Sequence, residues 1–161
     1  MTKKEKADDA RTVIATNRKA YHNFEIFESY EAGLALKGPE VKSLRAGHLR
    51  LEGSYARVEG DEVFIHNLHI NPYAQNTSDE ELPPLRKRKL LLRRSEIKRL
   101  RDSQDTRTVT LVPLEAYFLR GWAKIRISVA KGKRGPDKRE ALKKRETSRE
   151  LARSFKGKFK T

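Results

Sequence analysis

From residue 24 to 37 the chain alternates, with Phe24, Ile26, Glu28, Tyr30, Ala32, Leu34 and Leu36 at even positions and Glu25, Ser29, Glu31 and Lys37 among the odd ones. A period of two sends successive side chains to opposite faces, so the pattern predicts a long half-buried strand or strand pair. Residues 121–130 show the same period. There Ala123, Ile125, Ile127 and Val129 alternate with Trp122, Lys124, Arg126 and Ser128, giving an apolar face and a cationic one. Residues 54–59 and 62–70 meet at Gly60-Asp61, which has the chemistry of a tight hairpin turn, and residues 107–118 are set off from 121–130 by Arg120-Gly121.

The connecting segments are short. Gly38-Pro39 supplies a cap and a pre-set first helical residue, and the run from Glu40 to Ala46 can form two turns before Gly47 ends them. A second helix starts near Arg94 or Ser95 and carries Ile97 and Leu100, while residues 71–84, rich in Pro, Asn and acidic residues, read as a loop. Several short antiparallel strands with two or three small helices predict a mainly β fold, an antiparallel barrel resembling the oligonucleotide-binding type. The expected organisation is a flexible segment over 1–15, a barrel over 16–130 and a basic C-terminal tail over 131–161.

The tail holds thirteen Lys/Arg against four Asp/Glu, leaving twenty-four against eighteen in the rest of a chain whose net charge is +15. Its large apolar residues are only Leu142, Leu151, Phe155 and Phe159, too few to offset the entropy of ordering it. It is expected to be disordered when free and to order on a polyanion. No Cys is present, which excludes a disulfide framework and Cys-based zinc motifs. With no apolar leader and no run long enough to span a bilayer, the expected location is the cytoplasm.

Nine basic residues fall between 85 and 101 against the single carboxylate of Glu96. Such a cluster repels itself unless an anion is near, so Arg86, Lys87, Arg88, Lys89, Arg93 and Arg94, with Lys42 and Arg45, are candidate phosphate contacts rather than an ordinary solvated surface. His22 and Trp122 can stack on exposed bases, although Trp122 can equally pack on the barrel exterior. His66 and His69 lie three apart, on opposite faces of a strand, and have no third ligand nearby, so no metal or cofactor is expected. Asp79-Glu80-Glu81 reads as a solvated acidic loop, and without a nucleophile and base pair or a phosphate-binding loop there is no case for an enzyme. Composition alone suits a ribosomal or ribosome-assembly protein as well as any other RNA binder.

Three segments are more specific. The run Glu31-Ala-Gly-Leu-Ala-Leu-Lys-Gly-Pro-Glu-Val-Lys-Ser-Leu-Arg-Ala-Gly47, the run Arg88-Lys-Leu-Leu-Leu92, and Val129-Ala-Lys-Gly-Lys133 followed by Asp137-Lys-Arg139 together resemble the small protein B family, the SsrA-binding proteins of bacterial trans-translation. The resemblance implies a barrel that binds the tRNA-like domain of transfer-messenger RNA and delivers it to stalled ribosomes. It also implies functional association with alanyl-tRNA synthetase and elongation factor Tu through the aminoacylated RNA. Asn17, Glu31 and Leu91 match family positions associated with that RNA. Asn17 can donate and accept near ribose or base edges, and Leu91 can pack on a splayed base or simply fill the core. Glu31, which phosphate would repel, can accept from a base amino group or orient a neighbouring cation.

The resemblance further implies that the tail becomes helical in the vacant mRNA channel of the small subunit, against ribosomal RNA near the decoding centre. The residues singled out for that contact are Lys131, Gly132, Lys133, Arg134, Asp137, Lys138, Arg139, Lys143, Lys144, Arg145, Leu151, Arg153 and Phe155. Asp137 suits an N-cap with Glu140 at its capping-box position, and a helix from there to Phe155 is roughly 28 Å long. One departure stands out. Where the family commonly has an aromatic residue or His before the Asp-Lys-Arg triplet, this chain has Pro136, which offers neither a π system nor a proton, and Gly132, Gly135 and Pro136 read instead as a hinge between strand and helix.

Overall fold

A computed structural model describes residues 11–75, 81–105, 108–133 and 143–153. Among these the elements run β1 (Arg11–Thr16), α1 (Arg18–Asn23), β2 (Phe24–Leu34), α2 (Gly38–Arg45), β3 (Leu49–Arg50), β4 (Tyr55–Glu59), β5 (Glu62–His66), β6 (His69–Ile70), β7 (Arg88–Leu91), α3 (Arg94–Asp105), β8 (Thr110–Leu119), β9 (Trp122–Gly132) and a final helix α4 over 143–153. The fold is mainly β with short helices, and every strand pairing is antiparallel.

The large sheet has the order β1-β8-β4-β5-β7-β2-β9, and β9 also pairs with β8, so the ladder that leaves β8 through β4 returns to it through β9. Two joins in this ring are short. β4 meets β8 at Ala56↔Leu111, and β2 meets β7 through Gly33↔Leu91 and Leu34↔Leu90. β1 lies along the other half of the same β8 edge, from Glu115 to Leu119, and β3 and β6 form a separate ribbon.

The expected alternation holds in β2 where Tyr30, Ala32 and Leu34 turn inward, but a register shift between Ile26 and Ser29 breaks it and leaves Phe27 and Glu28 exposed. Ala32, Leu34, Val63, Ile65, Leu90, Leu111, Ile125 and Ile127 share one interior, which Leu44 of α2 and Leu100 of α3 complete. Each such side chain contributes about 1.5–3 kcal/mol on burial. At the β8–β9 turn Arg120 and Gly121 both take left-handed backbone angles (φ 52° and 79°), the mirror-image turn whose twist matches the flanking strands.

Four expectations shift. Residues 11–15, assigned to a flexible lead-in, form most of β1, and β9 runs two residues into the assigned tail through Phe24↔Gly132 and Glu25↔Lys131. The segment 62–70 is two strands, because Asn67 adopts φ 58° and turns Ile70 away to pair with Leu49. The basic run beginning at Arg86 contains β7, which the loss of apolar alternation hides. Within the tail, residues 143–153 are helical. Its side chains are exposed there, so burial does not support this helix, and the Glu146/Arg149 and Glu150/Arg153 spacings favour it only weakly.

Candidate nucleic-acid interface

Register decides which members of the basic run reach solvent. β7 pairs with β5 at Val63↔Leu90 and Ile65↔Arg88, so Arg88 and Leu90 point inward and Lys89 and Leu91 outward. Arg88, expected to contact phosphate, is therefore corrected to an interior residue at 1 % exposure. Its Nε donates to Glu40, Nη1 to the carbonyls of Leu68 (2.7 Å) and Arg86 (3.0 Å), and Nη2 to that of Pro84 (3.1 Å). Arg86 is drawn into the same site by an ion pair to the other Glu40 oxygen, and so is also not an open phosphate contact.

Glu40 sits three residues into α2, where it also accepts the Lys37 N–H at 3.1 Å. Burial pushes its pKa up, but the hydrogen bonds from Arg86, Lys37 and Arg88 outweigh that and hold it below the ordinary value of 4.5. A carboxylate depressed in the folded state contributes stability that is present above the unfolded pKa and lost as pH falls through the folded one. Urea unfolding between pH 7 and 3 should accordingly show a falling acid limb, and Glu40→Gln should be less stable at pH 7 with a flatter limb; an unchanged limb would contradict this.

The outward residues assemble a face. Gly33 of β2 pairs with Leu91 of β7 on one side and Lys124 of β9 on the other, and Lys124 pairs in turn with Tyr117 of β8. One register step along, Glu31 faces Arg126, and Arg126 faces Glu115. A Cβ on Gly33 would stand 3.2 Å from Leu91 Cβ, so the leucine lies directly over the glycine backbone. Leu91 is 54 % exposed there, which settles its two readings in favour of an outer position. Trp122 is at the same end of β9 and 73 % exposed, off the core. Lys124 and Arg126 were legible as a cationic strand face, yet only pairing shows that Lys124 belongs beside Leu91.

Other candidates are dispersed. Asn17 is 8 % exposed, and its amide is used inside: Oδ1 caps α1 at the Ala20 N–H, while Nδ2 donates to the Pro113 carbonyl at 3.0 Å. The Asn17 N–H donates to the Leu114 carbonyl at 2.8 Å, so the residue bridges the register shift that Pro113 causes in β8. His22 is half-buried in the last turn of α1. On α2, exposed Lys42 lies 5.5 Å from the Tyr73 ring and exposed Arg45 5.8 Å from the Phe118 ring. Lys87 pairs with Glu59 at 2.8 Å above the Phe64 ring, and Lys89 pairs with Glu62 at 2.7 Å. Arg93 and Arg94 are exposed.

In the tail, Lys131 and Gly132 are strand residues, so Gly132, read as part of a hinge, is held opposite Phe24 instead; Lys133 donates its N–H to the Asn23 carbonyl at 3.0 Å, and Lys143, Lys144, Arg145, Leu151 and Arg153 are exposed on α4. Arg134, Asp137, Lys138, Arg139 and Phe155, the Gly135-Pro136 step, and Asp79 and Glu80 of the acidic loop lie outside the described residues. Among the described residues no group of three or more His, Asp or Glu is placed to hold a metal ion, and no helix is long and apolar enough to cross a membrane.

A family model described as SmpB protein matches residues 14–157. The chain is 49 % identical over 155 residues to the SsrA-binding protein of Elusimicrobium minutum, covering 96 % of this chain and 98 % of the relative. It is 50 % identical over 156 residues to that of Caldicellulosiruptor saccharolyticus (97 % and 98 %) and 51 % identical over 143 residues to that of Geobacillus kaustophilus (89 % and 92 %). A solved structure described as "tmRNA-SmpB: a journey to the center of the bacterial ribosome" is 48 % identical with a TM-score of 0.64, covering 80 % of this chain and 93 % of that one.

Proposed function

The chain belongs to the SmpB family, and from that membership we propose that it is an RNA-binding adaptor for ribosome rescue. It binds the tRNA-like domain of transfer-messenger RNA and carries it to ribosomes stalled without a codon, where the tail occupies the empty mRNA channel against ribosomal RNA. Alanyl-tRNA synthetase and elongation factor Tu meet it through the aminoacylated RNA, in the cytoplasm, and the protein itself is not an enzyme. The returning ladder of strands is read as a barrel of the oligonucleotide-binding type, which offers outer strand faces to RNA while its interior stays filled.

The observation that carries this reading is the outer face around Gly33, where an exposed leucine, an exposed carboxylate and a lysine stand together on adjacent strands. A base can lie on Leu91, Lys124 can meet phosphate, and Glu31 can accept from a base amino group. Re-burying the open half of Leu91 is worth about 1 kcal/mol, so Leu91→Ala should weaken binding to the tRNA-like domain roughly five- to ten-fold. Its melting temperature should stay within about 2 °C of the parent, since the side chain is outside the core. Titration of a fluorescent transcript beside a thermal melt checks both; unchanged affinity would remove Leu91 from the interface.

A further inference from the structure

We infer that Tyr117 is a positioning residue for RNA recognition: from within β8 it holds the Glu31 carboxylate in a fixed, outward-facing orientation. This rests on the reading of Glu31 as an RNA contact.

Tyr117 occupies an outward register position, paired with Lys124, yet its side chain is fully buried. β1 brings this about. Val13 pairs with Tyr117 from the other edge, and the Arg11 guanidinium lies 4.2 Å from the ring centroid. The phenol then extends across β9, the strand between β8 and β2, and its hydroxyl donates to Oε2 of Glu31. Burial and the adjacent Glu31 carboxylate push the Tyr117 hydroxyl up to about 12, so it stays protonated and remains a donor at every physiological pH.

The two nearby arginines are engaged elsewhere. Arg11 forms an ion pair with Glu115, and Arg126, which faces Glu31 in the register, lies 3.7 Å from the same Glu115. Glu31 itself forms no ion pair among the described residues. It is therefore a carboxylate held by a neutral donor, with Oε1 and the second lone pair of Oε2 left to accept from an incoming amino group. Without the hydroxyl, the exposed Glu31 side chain regains its rotamers and must be ordered again on binding.

The test is a double-mutant cycle on the full chain with an in-vitro transcript of the tRNA-like domain, comparing parent, Tyr117→Phe, Glu31→Ala and the double variant. Phenylalanine keeps the ring under Arg11 and leaves no buried group unpaired. Tyr117→Phe should weaken binding about three- to ten-fold, and Glu31→Ala at least as much. In the Glu31→Ala background Tyr117→Phe should cost nothing further. The slope of log affinity against log salt should be unchanged by Tyr117→Phe, because no phosphate contact is lost. An equal loss in both backgrounds, or no loss beside an impaired Glu31→Ala, would overturn the positioning role while leaving Glu31 at the interface. If Glu31→Ala bound like the parent, the reading of Glu31 as a contact would be what failed, and the role of Tyr117 would fall with it.

Discussion

Ending the chain after Lys133 should leave binding to transfer-messenger RNA within about three-fold of the full protein and abolish tagging on stalled ribosomes. The position of the cut follows from the structure. β9 continues through Lys131 and Gly132 opposite Glu25 and Phe24, and the Lys133 N–H closes on the Asn23 carbonyl. Cutting after residue 130 would strip these pairings from β2, a strand that carries both Glu31 and Gly33, and would confuse loss of the tail with damage to the proposed RNA face. Beyond Lys133 the described part of the tail is a helix with exposed side chains, shorter than the roughly 12–15 residues at which helices persist alone in water. Its cations supply a salt-dependent attraction that any RNA can satisfy, whereas the strand faces supply fit. Affinity measured by titration and tagging measured in a reconstituted stalled-ribosome reaction should therefore separate. If the truncated chain lost RNA binding as far as Leu91→Ala does, that division of labour would be wrong.

The largest stability effect should come from Arg88→Ala, about 3–5 kcal/mol, because removal of the guanidinium leaves the Glu40 carboxylate buried with half of its neutralising partners gone. For a domain of this size each kcal/mol lowers the melting temperature by about 4 °C, so a fall on the order of 15 °C is expected. Arg88→Lys should recover little of it. A lysine cannot meet Glu40 together with the carbonyls of Leu68 and Pro84 from one head group. Thermal melts and urea titrations check the claim. A variant that melted like the parent but failed to bind RNA would return Arg88 to the interface.

The contrast between Arg88 and Leu91 shows what the sequence can and cannot convey. The alternation of β2, the Gly38-Pro39 start of α2 and the turns at Gly60-Asp61 and Arg120-Gly121 were legible because each depends on neighbours within a few residues. The run from Arg86 to Leu92 has no such alternation. Its inside and outside are set by pairing with Ile65 and Gly33, distant in sequence, and that pairing buries an arginine and exposes a leucine. Glu40 meets Arg88 from another element entirely, so neither partner announced the ion pair. Asn17 likewise gave no sign that its amide would be used to bridge the bulge made by Pro113. Resemblance to a family singled out Glu31 and Leu91 as candidate RNA contacts; the register shows that they share one sheet face and sets Lys124 beside Leu91.

Purifying the tagged full-length protein from growing bacterial cells and sequencing the RNA that stays bound at moderate salt bears most directly on the central claim. A single dominant species, transfer-messenger RNA, is the expected result, and its recovery should fall with Leu91→Ala. A spread of ribosomal RNA fragments without that enrichment would contradict the adaptor reading and favour a ribosomal or assembly role.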